Sequence, residues 1–250
     1  MSYSPSLRLF VPDDLAPDSA FALTADQARY LGQVMRRSAG ERVDLFNGRD
    51  GEWQAEITEL GKKNAVVTPV SQLRSQASLK PLTLLFAPVK RGAIDLIAQK
   101  ATELGVTGLR PVITGRTNVD RVNTERLTSI AIEAAEQSRR MCVPVVWAPA
   151  SLSDVVADWS PETPLYLMDE TGEGAPVGEV LASGEARNAD SAAFLIGPEG
   201  GFTDTELDLL RALPFSKSIS LGTRILRADT AALAALTCWQ ALCGDWRRPA

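Results

Sequence analysis

Leu195-Ile-Gly-Pro-Glu-Gly-Gly-Phe202 and Ser220-Leu-Gly-Thr-Arg-Ile-Leu-Arg-Ala-Asp-Thr-Ala231 decide how this chain folds. Each stretch leaves a short apolar run, Ser191 to Ile196 and Lys217 to Leu221, that reads as a buried strand. Each then enters a segment with helical periodicity. Gly197, Gly200, Gly201 and Gly222 are expected to take positive φ and to let a ligand approach the backbone closely. Two such loops at the carboxyl ends of neighbouring strands wall a crevice, the usual ligand position in an open α/β sheet. The second loop also holds Arg224, Arg227 and Asp229 in an apolar frame, which favours a site over a plain turn.

Working outward, the same alternation begins near residue 82. Leu82 to Val89, Leu109 to Thr114, Val143 to Trp147 and Leu165 to Met168 read as strands. Ala93 to Leu104 and Thr124 to Arg140 read as amphipathic helices, and Thr203 with Glu206 makes a capping box after the first glycine loop. This is the pattern of a mostly parallel sheet covered by helices. The first seventy residues differ. One helix runs from Thr24 to about Arg37, followed by strands at Glu41 to Phe46, Glu52 to Leu60 and Ala65 to Val70. Trp53, Ala55 and Ile57 alternate against Gln54, Glu56 and Thr58. The polar stretch 71–80 reads as a linker.

Composition bounds the chemistry. The 250 residues contain no histidine, which excludes Ser-His and Cys-His catalysis. Cys142, Cys238 and Cys243 lack metal-ligand spacing, so no metal site is expected and the thiols read as reduced, in a cytosolic protein. No apolar run is long enough to span a membrane. The net charge of −5 is uneven: residues 79–142 carry ten bases against six acids, and residues 143–215 two against thirteen. On its own, that asymmetry is what any acidic protein can show.

The two glycine loops resemble the last two blocks of the RsmE family of ribosomal RNA methyltransferases, in the SPOUT class. Gln99-Lys-Ala-Thr-Glu-Leu-Gly-Val106, Glu133-Ala-Ala-Glu-Gln-Ser-Arg-Arg140 with Val143-Pro144, and the Gly-Glu-Arg-Val-Asp-Leu-Phe-Asn-Gly segment ending at Gly48 extend the resemblance over nearly the whole chain. It implies an α/β fold class with a small PUA-like β-barrel, residues 1–73, that binds RNA. Residues 80–250 would then form a SPOUT domain with a deep trefoil knot. It implies S-adenosylmethionine as cofactor, held by Met168, Ile196, Gly197, Gly201, Leu221, Gly222, Ile225 and Leu226.

The same resemblance implies methylation of uridine N3 in small-subunit ribosomal RNA, as free RNA or in the assembled subunit. Arg227 is the first candidate to stabilise the uracil anion, and Asp229 and Glu199 are the acids placed to orient it or take a proton. Asp229 also suits the first turn of a helix, and Glu199 the approach to one. Asp229 stands where the family has glutamate, and Tyr30 where relatives commonly have histidine. Lys90, Arg91, Arg116, Arg139 and Arg140 are the RNA-binding candidates, Arg140 matching the family's arginine. Lys100 and Glu103 are expected simply to pair. A final helix carrying Trp239 implies a homodimer, although core packing explains that ring equally well. The alternatives are a SPOUT enzyme with another RNA target and an inactive RNA-binding assembly factor.

Overall fold

The computed structural model describes residues 7–119 and 121–247, with the side chain of Arg91 outside the described residues. The chain divides into two compact units, and the division does not follow one cut in the sequence. Residues 1–78 group with 135–143, and residues 79–134 with 144–250.

In the first unit, β1 (Arg8–Phe10), β2 (Phe21–Ala22), β3 (Arg42–Phe46), β4 (Glu52–Leu60) and β5 (Ala65–Arg74) form a sheet of order β1-β3-β4-β5-β2. β1 lies parallel to β3, and the other pairings are antiparallel. Leu9, Val43, Leu45, Ala55, Ile57 and Val67 fill its core. The alternation read along β4 holds for Ala55 and Ile57, whereas Trp53 is only half-buried because register shifts interrupt the β4–β5 ladder. β5 runs four residues into the stretch expected as linker, since Gln72 and Arg74 pair with Trp53 and Glu52. The expected long helix from Thr24 is also different. The Thr24–Gln27 capping box opens α1 (Ala25–Arg29) as anticipated, but the helix then widens into a π-helical turn over Tyr30–Val34.

A buried arginine organises this unit. Arg8 pairs with Glu52, stands 4.5 Å from the Phe46 ring, and donates to Ala135 O (3.0 Å), Glu136 O (2.8 Å) and Arg140 O (2.7 Å). The last carbonyls of a helix lack intrahelical partners, and Arg8 supplies donors to two of them. Glu52 also accepts from Arg74 (2.6 Å), which reaches Arg139 O (3.0 Å). Burial pushes the Glu52 carboxyl up, but Arg74 and Arg8 outweigh it and hold it below the ordinary glutamate value.

In the second unit, β6 (Leu82–Phe86), β7 (Gly108–Ile113), β8 (Val145–Val146), β10 (Leu165–Met168), β11 (Ala175–Pro176), β12 (Ala192–Ile196) and β13 (Ser216–Ser220) lie in the order β11-β13-β10-β12-β6-β7-β8, and β9 (Ala150–Ser151) pairs with β7. Every pairing is parallel. The helices are α2 (Arg91–Glu103), α3 (Thr124–Ser138), α4 (Leu152–Ala157), α5 (Val177–Ala182), α6 (Gly184–Asn188), α7 (Asp204–Ala212) and α8 (Ala228–Leu242). Strand residues alternate between two cores. Leu84, Tyr166 and Phe194 face the side holding Ile97 of α2, Leu181 of α5 and Leu236 of α8. Leu85, Leu167 and Leu195 face Val155 of α4 and Leu210 of α7. Both faces are therefore covered, which is why these strands read as continuous apolar runs.

Trp239 belongs to this core. It is buried, with ring centroids 6.1 Å from Tyr166 and 5.9 Å from Phe194, contacts that contribute about 0.5–1.5 kcal/mol each beyond area burial. Burial pushes the Tyr166 hydroxyl up to about 12, so it stays neutral. The short β11, α4, α5 and α6 were not evident in the sequence, being too brief to show a period. No helix among the described residues is long and apolar enough to cross a membrane.

Candidate active site

β13, β10 and β12 are neighbours, and their register sets Leu167 beside both Leu195 and Ser218. Parallel strands that end together release their loops together. The segments 169–174, 197–203 and 221–227 therefore emerge side by side at one edge of the sheet, and the turn after β6 joins them through Ala87 N donating to Ile196 O (2.9 Å). Met168, Ile196, Gly197, Gly201, Leu221, Gly222, Ile225 and Leu226 all fall at this edge.

The glycines act in different ways. Gly201 (φ +69°) and Gly222 (φ +99°) are left-handed, as expected. Gly197 and Gly200 are not, which corrects the expectation for both. The constraint at Gly197 is space: a Cβ there would stand 2.8 Å from the Phe202 ring. At Gly201 a Cβ would overlap Glu170 Oε1, the atom that accepts from Phe202 N at 2.8 Å. A glutamate on one loop thus crosses to the next through the space that glycine leaves. Around Gly222 there is open space, and its N–H donates to Ser220 Oγ (3.2 Å).

Asp169 fixes the third loop. Its buried carboxylate accepts from Thr171 N (3.0 Å), Thr171 Oγ1 (2.6 Å) and Arg211 of α7 (2.7 Å). Burial pushes this carboxyl up, but the Thr171 hydroxyl, Arg211 and the Thr171 amide together hold it below the ordinary aspartate value. Asp169, Glu170 and Arg211 are site-shaping residues that sequence reasoning missed. The available signal was an acid pair directly after the apolar run Leu165–Met168.

Met168 and Ile196 are buried and Leu221 and Leu226 half-buried, which makes an apolar floor, while Ile225 is 91% exposed and no part of the core. The exposed backbone of Gly222 and the half-buried backbone of Gly197 over such a floor fit the adenosine end of S-adenosylmethionine, which needs apolar walls and backbone hydrogen bonds, while Gly201 is buried behind them. Arg227 is the N-cap residue of α8, exposed and without an ion pair among the described residues. Asp229 lies in the first turn and accepts from Thr230 N (2.7 Å), a helix-start role. Glu199 is exposed, and the α7 cap is made by Thr203 and Glu206 instead.

Of the basic candidates, Arg116 reaches this edge by donating to Gly200 O (2.8 Å), and Lys90 caps the backbone of α2. The Arg91 side chain lies outside the described residues. Arg139 and Arg140 belong to the first unit, where Arg140 donates to Cys142 Sγ (3.2 Å). Lys100 pairs with Glu103 at 2.8 Å, the plain ion pair expected.

Residues 75–240 match the model of an RNA methyltransferase domain and residues 23–70 that of an RNA methyltransferase PUA domain. A Rickettsia conorii protein named ribosomal RNA small subunit methyltransferase E is 36% identical, the alignment covering 92% of this chain and 93% of that one. A Synechocystis protein of the same name is 33% identical, covering 94% and 77%. The crystal structure of a ribosomal RNA small subunit methyltransferase E from Neisseria gonorrhoeae bound to S-adenosylmethionine superposes with a TM-score of 0.86 at 28% identity, covering 95% of this chain and 98% of that one.

Proposed function

We propose that this chain, which belongs to the ribosomal RNA small subunit methyltransferase E family, methylates N3 of one uridine in 16S ribosomal RNA. Methyl transfer from S-adenosylmethionine to small-subunit ribosomal RNA is the family activity and that of this chain. The observation that carries the assignment is the convergence of three loops at the ends of β10, β12 and β13, inside the segment that matches the methyltransferase model.

S-adenosylmethionine, once bound, supplies an electrophilic methyl group. The protein must hold the uracil in line and deal with the proton on N3. In our reading, Met168, Ile196, Gly197, Gly201, Leu221, Gly222 and Leu226 hold the cofactor, and the exposed Ile225 folds over it or over a second subunit. Arg227 presents a planar fork suited to a uracil carbonyl and stabilises charge on the ring. Since Asp229 is engaged by Thr230, Glu199 is the freer acid to accept the proton. In the same reading, Lys90 and Arg116 line the approach for RNA, and Arg91, Arg139, Arg140 and the PUA-like module of residues 1–73 are further RNA contacts.

Two finer features complete the proposal. α8 leaves β13 and packs against α2, with Gln240 donating to Leu104 O (2.6 Å), so the chain's end crosses back over β10 and β12. This crossing supports a deep trefoil knot. The exposed Ile225 and Trp246, rather than the buried Trp239, support a homodimer. Light scattering at micromolar concentration should return twice the chain mass. An active monomer would defeat that part.

The central test is mass mapping of modified uridines in 16S ribosomal RNA with and without the gene. One N3-methyluridine should vanish without it, and purified protein with S-adenosylmethionine should restore it on isolated subunits. Loss of a ribose methyl instead would indicate another target atom. No lost methyl would indicate an assembly factor.

A further inference from the structure

We infer that Glu206 and Arg116 are positioning residues for the cofactor, acting together through the turn 114–117 to hold the glycine loop 197–203 in its binding shape. This rests on the reading that the loop holds S-adenosylmethionine, and it gives Arg116 a task that needs no RNA.

The turn directly after β7 is fixed by its own bonds. Thr117 N donates to Thr114 O (3.0 Å), Thr114 N donates to Thr117 Oγ1 (2.9 Å), and Thr114 is buried. Gly115 and Arg116 are therefore its two central residues, and both are exposed. Each of them reaches the loop region. Gly115 N donates to Glu206 Oε1 (2.7 Å), 91 residues on, and Arg116 Nη1 donates to Gly200 O (2.8 Å), 84 residues on. The surfaces also touch. A Cβ on Gly115 would stand 3.0 Å from Thr203 Cγ2, and one on Gly200 would stand 3.5 Å from Arg116 Cβ. Glycine at 115 is what lets the turn come this close to the start of α7.

Glu206 does more than cap its helix. A capping box needs one side-chain oxygen, and Oε2 fills that need by accepting from Thr203 N (2.8 Å) and Thr203 Oγ1 (3.0 Å). Glutamine would serve the box equally well. The second oxygen, Oε1, is the one that takes Gly115 N, and only a carboxylate accepts at both ends. The loop is thus held at four consecutive residues: Gly200 O by Arg116, Gly201 N by Pro198 O (2.9 Å), Phe202 N by Glu170 and Thr203 N by Glu206. Arg116, Glu170 and Glu206 come from three different elements, so the loop's shape is set by the protein's own side chains. A loop ordered in advance spares the ligand that ordering cost. The same bonds fix Glu199, which lies between Pro198 and Gly200, at the cofactor edge.

Glu206→Gln in the full-length protein separates the two tasks. The amide oxygen keeps the cap, while the amide nitrogen faces Gly115 N, donor against donor. Its melting temperature should stay close to that of wild type. Its S-adenosylmethionine affinity, titrated by calorimetry with no RNA present, should fall roughly fivefold, the scale of one partly exposed hydrogen bond. Arg116→Ala should cost the same, and Arg116→Lys should recover most of it, because a carbonyl needs only one donor. Peptides covering residues 197–203 should exchange their amide hydrogens faster in Glu206→Gln and Arg116→Ala. The double variant should cost little more than either single one, because opening either bond frees the turn. Unchanged affinity in both single variants, with a raised KM for small subunits in Arg116→Ala, leaves Arg116 a plain RNA contact and overturns the proposal. So does a Glu206→Gln protein that melts well below wild type with unchanged exchange at 197–203, since the residue is then only a cap. A roughly twenty-fivefold loss in the double variant, the product of the singles, overturns their joint action. If Gly201→Ala also leaves affinity unchanged, the loop does not hold the cofactor, and the underlying reading fails instead.

Discussion

Arg227→Ala should lower the methylation rate by roughly a hundredfold or more while leaving S-adenosylmethionine affinity nearly unchanged, the scale seen when one preorganised electrostatic contact is removed from a closed site. The split follows from where the residue stands. Arg227 caps α8 through its backbone alone, its side chain makes no ion pair among the described residues, and its φ of −68° is open to any residue. Truncating it therefore takes nothing from the helix or the sheet. Arg227→Lys should recover little, because a point charge does not reproduce the planar fork. Single-turnover methylation of isolated subunits beside a cofactor titration reads both quantities. A stable Arg227→Ala enzyme of normal rate would sink the assignment and move attention to Arg116 and Arg224.

Gly201→Ala should weaken cofactor binding far more than Gly222→Ala, although both residues are left-handed. At Gly222 the added methyl meets open space, so the cost is conformational, about 1 kcal/mol. At Gly201 the same cost applies, and the methyl also displaces the Glu170 carboxylate from Phe202 N. An orphaned donor adds roughly 1–3 kcal/mol. If that sum falls on the binding-competent loop arrangement, affinity drops roughly thirtyfold to nearly a thousandfold, against about fivefold at Gly222. Removing Glu170 first tests the cause. In a Glu170→Ala background the clash is gone, so Gly201→Ala should then cost only what Gly222→Ala costs. Calorimetric titration of the four proteins decides it, and equal effects in both backgrounds would dismiss the Glu170 crossing.

Much of the site is local, and local features can be read from residues. The strand-glycine-helix order places Gly197 to Phe202 and Leu221 to Arg227 after β12 and β13 without any knowledge of packing. The capping boxes at Thr24 and Thr203 are likewise short-range hydrogen bonds between residues three apart. Periodicity alone separates the α/β part from the N-terminal sheet, because a run buried on both faces and an alternating run differ in every second residue.

What the sequence by itself determined, then, was which segments are strands, where their loops lie and which chemistry those loops resemble. Tertiary structure decided whatever depends on distant partners. Gly201 matters because Glu170, thirty-one residues earlier, occupies its missing side chain, and no local pattern encodes that. Trp239 was equally a core or an interface ring until Tyr166 and Phe194 closed on it. Arg8 looks like an ordinary surface arginine near the N-terminus, yet the fold buries it on the carbonyls of residues 135, 136 and 140. In each case the deciding term is desolvation or steric exclusion between segments far apart in the chain. Such terms have no value until the strand order brings those segments together.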